Sequence, residues 1–176
     1  MNKCINTYSN NIGFNLWKPY QIQCFHCERA QGFKSAFFFG EDPNEYTRKH
    51  LEQQHYIYLA YFYPGIVKVG TASSTREGIR LIEQDALMFA FIAVSDGFNI
   101  QKLEKEISKK LNITQTVRSR KKLDNLSKKI DSDAAKILLK SNIDKVLKSF
   151  ENTEFESWFF DREKIKIEDI TEQKNI

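Results

Sequence analysis

The sequence predicts an α+β fold: a small three-stranded antiparallel sheet flanked by helices, preceded by an N-terminal Cys/His segment and followed by a C-terminal helical extension. Three observations lead there. Residues 56–63 and 66–70 are two runs rich in β-formers, separated by the turn signal Pro64-Gly65. "ALMFAFIAVS" is a continuous apolar run of strand length, which suits a buried central strand over 87–94. Ile100, Leu103, Ile107 and Leu111 then recur at helical spacing, which predicts a helix over 100–111 with one apolar face.

The remaining elements follow in chain order. Residues 1–20 have no clear period; Asn10, Asn11 and Gly13 read as a turn, with Trp17 and Tyr20 as anchors. Asp42-Pro43 can start a helix, because proline is tolerated in a first helical turn. That helix is expected to turn Tyr46, His50 and Leu51 toward the core. "TASSTREG" is a polar loop that leads into a short helix over 79–85, with Ser74 or Thr75 as its N-cap. "DGFN" reads as a turn. From Arg118 to Phe150 the chain is lysine-rich, with apolar residues spaced for two helices. Residues 158–160 and 164–170 are candidates for one or two terminal strands.

Hydrophobic residues make up 41% of the 176-residue chain and aromatics 13%, enough for a real core and against wholesale disorder. No apolar run approaches the roughly 20 residues of a membrane span, and the start of the chain carries no signal-peptide core. A cytoplasmic protein without membrane partners is expected. The net charge of +4 hides an asymmetry: residues 1–100 balance, whereas residues 101–150 carry fourteen basic and six acidic side chains. Such a block is the footprint of a phosphate-backbone binder, or a solvated helical face. Its densest part is Arg118, Arg120, Lys121 and Lys122, the candidate nucleic-acid contacts.

Three cysteines do not make a disulfide framework. "CFHC" places Cys24 and Cys27 at a ligand spacing, and His50 and His55 follow. Two thiolates and two imidazoles are the donor set of a tetrahedral structural Zn²⁺ site. Cys4 and His26 are alternative ligands, His55 can instead cap the hairpin, and two free thiols beside unrelated histidines is the competing reading.

The stretches "HYIYLA" (55–60), "KVGT" (68–71) and "RLIEQDA" (80–86) carry a resemblance. In their order of strand, turn, strand, loop, helix, strand and helix, these residues resemble the GIY-YIG nuclease superfamily. The likeness is closest to a bacterial branch with a cysteine-rich segment ahead of the core. It covers roughly residues 20–117. The resemblance implies a Mg²⁺-dependent endonuclease in which Tyr58 assists proton transfer, Arg80 binds the scissile phosphate and Glu104 holds the metal. Lys68 stands where most of these nucleases carry a second tyrosine, so it is expected to contact phosphate or to favour the ionised form of Tyr58. Gly70 is expected to let the backbone approach the substrate.

The chemistry suits these residue types. One carboxylate with waters and phosphate oxygens satisfies Mg²⁺, the ion neutralises charge developing on the phosphate, and a guanidinium can clamp a phosphate through two hydrogen bonds. Each residue also has an ordinary reading: Tyr58 as core, Arg80 and Glu104 as surface ion-pair partners. The alternative function is a non-catalytic module of the same fold that binds nucleic acid, a nucleotide or a protein. The expected organisation is an N-terminal segment over 1–54, the core over 55–117, and a basic helical extension with tail over 118–176.

Overall fold

The computed structural model describes residues 45–117 and 131–171. The chain divides into two units, Met1–Leu51 and Glu52–Ile176. In the first, the described residues form helix α1 (Glu45–Leu51), whose Lys49 and Glu45 pair at 2.8 Å one turn apart. Leu51 is buried as expected, but His50 is exposed. Three exposed residues in succession, Arg48 to His50, place the polar side of this short helix there.

The second unit is α+β. Strands β1 (Gln54–Phe62), β2 (Ile66–Ser73), β3 (Met88–Asp96) and β4 (Glu168–Asp169) form an antiparallel sheet in the order β2-β1-β3-β4. Among the described residues the sheet thus has four strands where three were expected. The fourth exists because the outer edge of β3 needs partners for its backbone groups. Ile170, itself buried, donates its N–H to the Leu87 carbonyl at 3.0 Å and pins the two-residue strand there. Higher on the same edge, the Phe160 N–H bonds the Ile92 carbonyl at 2.9 Å.

β1 and β2 close into a hairpin with Phe62 opposite Ile66. Gly65 takes φ +73 in its loop, a conformation with little cost for a residue lacking Cβ, and its N–H bonds the Tyr61 hydroxyl at 3.2 Å. After a 3₁₀ turn (Ser74–Arg76) comes helix α2 (Glu77–Glu83). It ends earlier than the 79–85 reading because Asp85 adopts the left-handed conformation (φ 60). The Ala86 N–H then bonds the Leu81 carbonyl at 3.2 Å and the Asp85 N–H bonds the Ile82 carbonyl at 3.1 Å. This pair of bonds is a Schellman stop, and Leu81 and Ala86 supply its apolar contact.

Helix α3 (Gly97–Leu111) begins three residues before the expected start. "DGFN" is not a free turn: the Asp96 carboxylate accepts from the Asn99 N–H at 2.9 Å and so caps the helix. Asn112 ends it at φ 53, and the Ser108 hydroxyl bonds the Ile113 carbonyl at 2.7 Å. Helix α4 (Ser132–Phe150) is capped in the same way by Asp131 onto the Ala134 N–H at 3.0 Å. Whether a second helix precedes it lies outside the described residues.

Two cores sandwich the sheet. On one face Ile57, Leu59 and Val69 pack with Ile100, Leu103 and Ile107 of α3 and with Leu139, Ile143 and Val146 of α4. Residues 131–171 therefore belong to the same unit as the 55–117 core. On the other face Tyr58, Ala60, Phe62 and Phe89 pack under Leu81 of α2. The split follows from the two-residue period of β1, which sends odd and even positions to opposite sides. No helix among the described residues is long and apolar enough to cross a membrane.

Candidate functional site

Tyr58 sits in the central strand, directly across from Gly70 of β2, and its side chain is fully buried. A Cβ added to Gly70 would lie 2.5 Å from Tyr58 Cζ, so the ring occupies the space a side chain at position 70 would fill. The Tyr58 ring is by itself a reason for glycine there, beside the close approach of a substrate that the sequence suggested. Two positions along β2 on the same face, Lys68 lies opposite Ala60 and is half-buried.

The two side chains meet at Gln84. Lys68 Nζ donates to Gln84 Oε1 at 2.7 Å, and Tyr58 Oη donates to the same oxygen at 3.2 Å. The orientation of the amide is settled by chemistry: an ammonium has only donors, so the atom facing it must be the oxygen. The Tyr58 proton then points at that oxygen as well. Lys68 Nζ lies 5.8 Å from the Tyr58 ring centre, within reach of a weak cation–π attraction. Sequence reasoning missed Gln84 as a site residue, although it lies inside the quoted "RLIEQDA" motif.

Arg80 falls in α2, the helix whose end carries Gln84. Glu104 is a half-buried residue of α3, which packs on the opposite face of the sheet from Tyr58. The structure therefore brings Tyr58 and Lys68 together at one point and seats the helix of Glu104 across the sheet. Glu104 flanks the buried face of α3 on the side of Ser108, which reaches Ile113. The next residue, Thr114, bridges to Lys68 along the edge of β2 away from β1, and the Val69 N–H bonds its carbonyl at 3.0 Å. The chain so passes from one core to the other around that edge, with Ile113 in the first and Val117 against the second. Arg118, Arg120, Lys121 and Lys122 follow Val117 directly and lie outside the described residues.

Beyond Tyr58 the same face carries an aromatic row. Tyr58 meets Phe91 edge-on at 6.4 Å, Phe91 meets Tyr56 at 5.2 Å, and Tyr56 meets Phe160 at 6.3 Å. Burial declines along it, from the enclosed Tyr58 to half-buried Phe91, Tyr56 and Phe160.

Of the candidate zinc ligands, Cys24 and Cys27 lie outside the described residues. His50 belongs to the first unit and His55 to the second. His55 is buried at the start of β1, with Nδ1 2.9 Å from the Gln53 carbonyl. A carbonyl can only accept, so Nδ1 is the donor in this contact. Among the described residues there is no group of three or more His, Cys, Asp or Glu that could hold a metal. Glu104, the residue expected to hold Mg²⁺, is a single half-buried carboxylate of α3.

No curated protein and no solved structure matches the chain. A family model described as "Protein of unknown function (DUF2797)" matches residues 30–170, which takes in the hairpin, Gln84 and both long helices. With most of its length matched, the chain belongs to the DUF2797 family.

Proposed function

We propose that this chain is a GIY-YIG-like domain that binds the phosphodiester backbone of a nucleic acid and hydrolyses it with Mg²⁺. The observation that carries this reading is the meeting of Lys68 and Tyr58 at the Gln84 amide oxygen. Those residues come from the two strands of the hairpin and the end of the following helix, the elements to which the resemblance assigns the site.

In this reading Lys68 attracts and holds a phosphate oxygen, and Arg80 of α2 adds a second cationic contact. Tyr58 handles the proton of the attacking water through its hydroxyl. Glu104 is the residue that would hold Mg²⁺, which when bound supplies charge neutralisation at the phosphate. The basic cluster from Arg118 to Lys122 would grip the flanking strand.

A second reading is favoured by two observations of its own. The Tyr58 side chain is fully buried, and the helix bearing Glu104 packs on the opposite face of the sheet. A domain that binds nucleic acid without cutting it needs neither group in the open. The test is to incubate purified protein with DNA and with RNA, with and without Mg²⁺. Metal-dependent cleavage that falls by at least about a hundredfold in Glu104→Gln and in Tyr58→Phe supports hydrolysis. Binding without cleavage under any divalent ion leaves the second reading, and neither binding nor cleavage overturns both.

A further inference from the structure

We infer that the outer face of α4 is a second contact surface for the phosphate backbone of a nucleic acid, formed by Lys140, Lys145 and Lys148. This inference rests on the reading that nucleic acid is the partner, and adds a surface that uses none of the groups around Tyr58.

α4 has two unlike sides. Ala135, Leu139, Ile143, Val146 and Phe150 are buried in the core on the sheet. The side turned away from them carries a shallow open groove of about 400 Å³, whose described lining is Ile137, Lys140, Ser141, Asp144, Lys145 and Lys148. Its three lysines are exposed. At the rise of a helix they spread their charge along about 12 Å of its length. Asp144 is the acid of this lining, and its spacing offers it to Lys140 and to Lys148, each one turn away. The fold gives it to another cation instead: the Arg162 guanidinium meets the Asp144 carboxylate at 2.6 Å. Lys140, Lys145 and Lys148 form no ion pair with any described residue. Lys148 lies in the last turn, where a cation also suits the helix dipole. Lys140 and Lys145 stand too far from that end to gain from it.

A row of lysines with its acid already paired is complementary to a row of negative charges. A polynucleotide strand supplies one at every residue, and the Ser141 hydroxyl adds a hydrogen-bond donor of the kind that phosphate oxygens accept. A protein partner fits less well, because lysine is depleted where proteins bury surface against one another. A lipid surface fits less well too. A helix that lies on a membrane inserts its apolar side, and the apolar side of α4 is spent on the sheet. Ile137 and Leu138 are the large apolar residues exposed on α4, and both lie in its first half.

The test is a triple variant, Lys140→Gln with Lys145→Gln and Lys148→Gln, and the single variant Asp144→Asn. The probe is a fluorescein-labelled single-stranded oligonucleotide, titrated by anisotropy at several salt concentrations, with melting temperatures measured in parallel. Mixed phosphatidylserine and phosphatidylcholine vesicles serve as a second probe. The triple variant is expected to bind the oligonucleotide on the order of tenfold more weakly at low salt, and to lose about 2 from the magnitude of its log–log salt slope, roughly 0.7 for each lysine. Its melting temperature should stay near that of wild type, because the three side chains are exposed. Asp144→Asn removes the carboxylate and releases Arg162, so it is expected to bind more tightly and with a steeper slope. If the triple variant keeps the affinity and slope of wild type, or Asp144→Asn binds no more tightly, the inference fails while nucleic-acid binding at the Tyr58 face stands. If the wild type prefers the vesicles and the triple variant abolishes that binding, the face is a lipid surface and the inference fails. If the wild type binds no oligonucleotide, the inference falls together with the proposed function.

Discussion

The ring of Tyr58 fills the space that a side chain on Gly70, its partner across the hairpin, would need. Glycine inside a strand ordinarily weakens it by roughly 0.5–1 kcal/mol relative to alanine. Here an aromatic neighbour closes over the bare backbone, so the usual preference is reversed. Gly70→Ala should destabilise the protein by about 1–3 kcal/mol, the range for forcing a methyl group into a filled site. A thermal melt of the single variant reads the cost, and a double-mutant cycle assigns it. In a Tyr58→Ala background the same change should cost nothing or stabilise. An equal cost in both backgrounds would show that Gly70 is required for some other reason.

The fourth strand carries a titratable group whose effect on stability has a definite sign. Asp169 lies opposite Met88 at the edge of the sheet. Burial alone would push its carboxyl up. The hydroxyl and the N–H of Thr171, at 2.6 Å and 3.0 Å, and the Lys136 ammonium at 3.6 Å outweigh burial and hold it below the usual carboxylate range. A carboxyl that is more acidic in the folded protein stabilises it above the unfolded-chain value of about 3.9, and that stability is lost as the pH falls through the folded value. Asp169→Asn should therefore melt below wild type at neutral pH, by at most about 1 kcal/mol for so open a pair. The gap should close as the pH drops below about 4. A gap that persists in acid would mean that Asp169 acts through packing of β4 and not through its charge.

The elements legible in the sequence were those with a strong period or a strong turn signal. Apolar spacing over Ile100, Leu103 and Ile107 and the β-rich hairpin with Pro64-Gly65 gave helix and strands in the right places. Their edges were less legible, because edges depend on caps: Asp96 extends α3 backward and Asp85 stops α2 early, and each is a polar residue whose role is decided by backbone geometry. β4 was legible only as a candidate, since a two-residue strand exists by grace of the β3 edge it pairs with. In the site, Tyr58 and Lys68 stood out for their chemistry. Gln84 did not, because an amide has no reactivity to draw attention, and its importance comes from two partners that lie 26 and 16 residues away in the chain.

Three of the candidate zinc ligands, Cys24, Cys27 and His50, fall in the Met1–Leu51 unit, a length too short to stabilise itself readily by apolar burial alone. A structural metal is one remedy for so small a unit. Protein purified without chelator should then carry about one zinc per chain by elemental analysis, and Cys24→Ser should lose it. Loss of a ligand should lower the stability of that unit by several kcal/mol. Chelation of the wild type should reproduce the effect, while the hairpin unit, which holds neither cysteine, should keep its own melting transition. Absence of zinc together with an unchanged melt in Cys24→Ser would remove the metal from the account.

The basic cluster offers the most direct measure of whether nucleic acid is the partner at all. Val117 packs against the face that carries Tyr58, and Arg118 is the next residue. Arg118, Arg120, Lys121 and Lys122 supply four cations within five positions. If they contact phosphates, each releases a counterion on binding, and replacing all four with alanine should flatten the salt dependence. The log–log slope should fall in magnitude by up to about 2.8 on a single strand and 3.6 on a duplex. Affinity at low salt should fall for every sequence alike, because phosphate contacts carry no base information. Since the change removes charge from polar side chains, the melting temperature should move little. An unchanged slope with intact binding would return the cluster to an ordinary solvated segment and leave Lys68 and Arg80 as the phosphate contacts to be tested next.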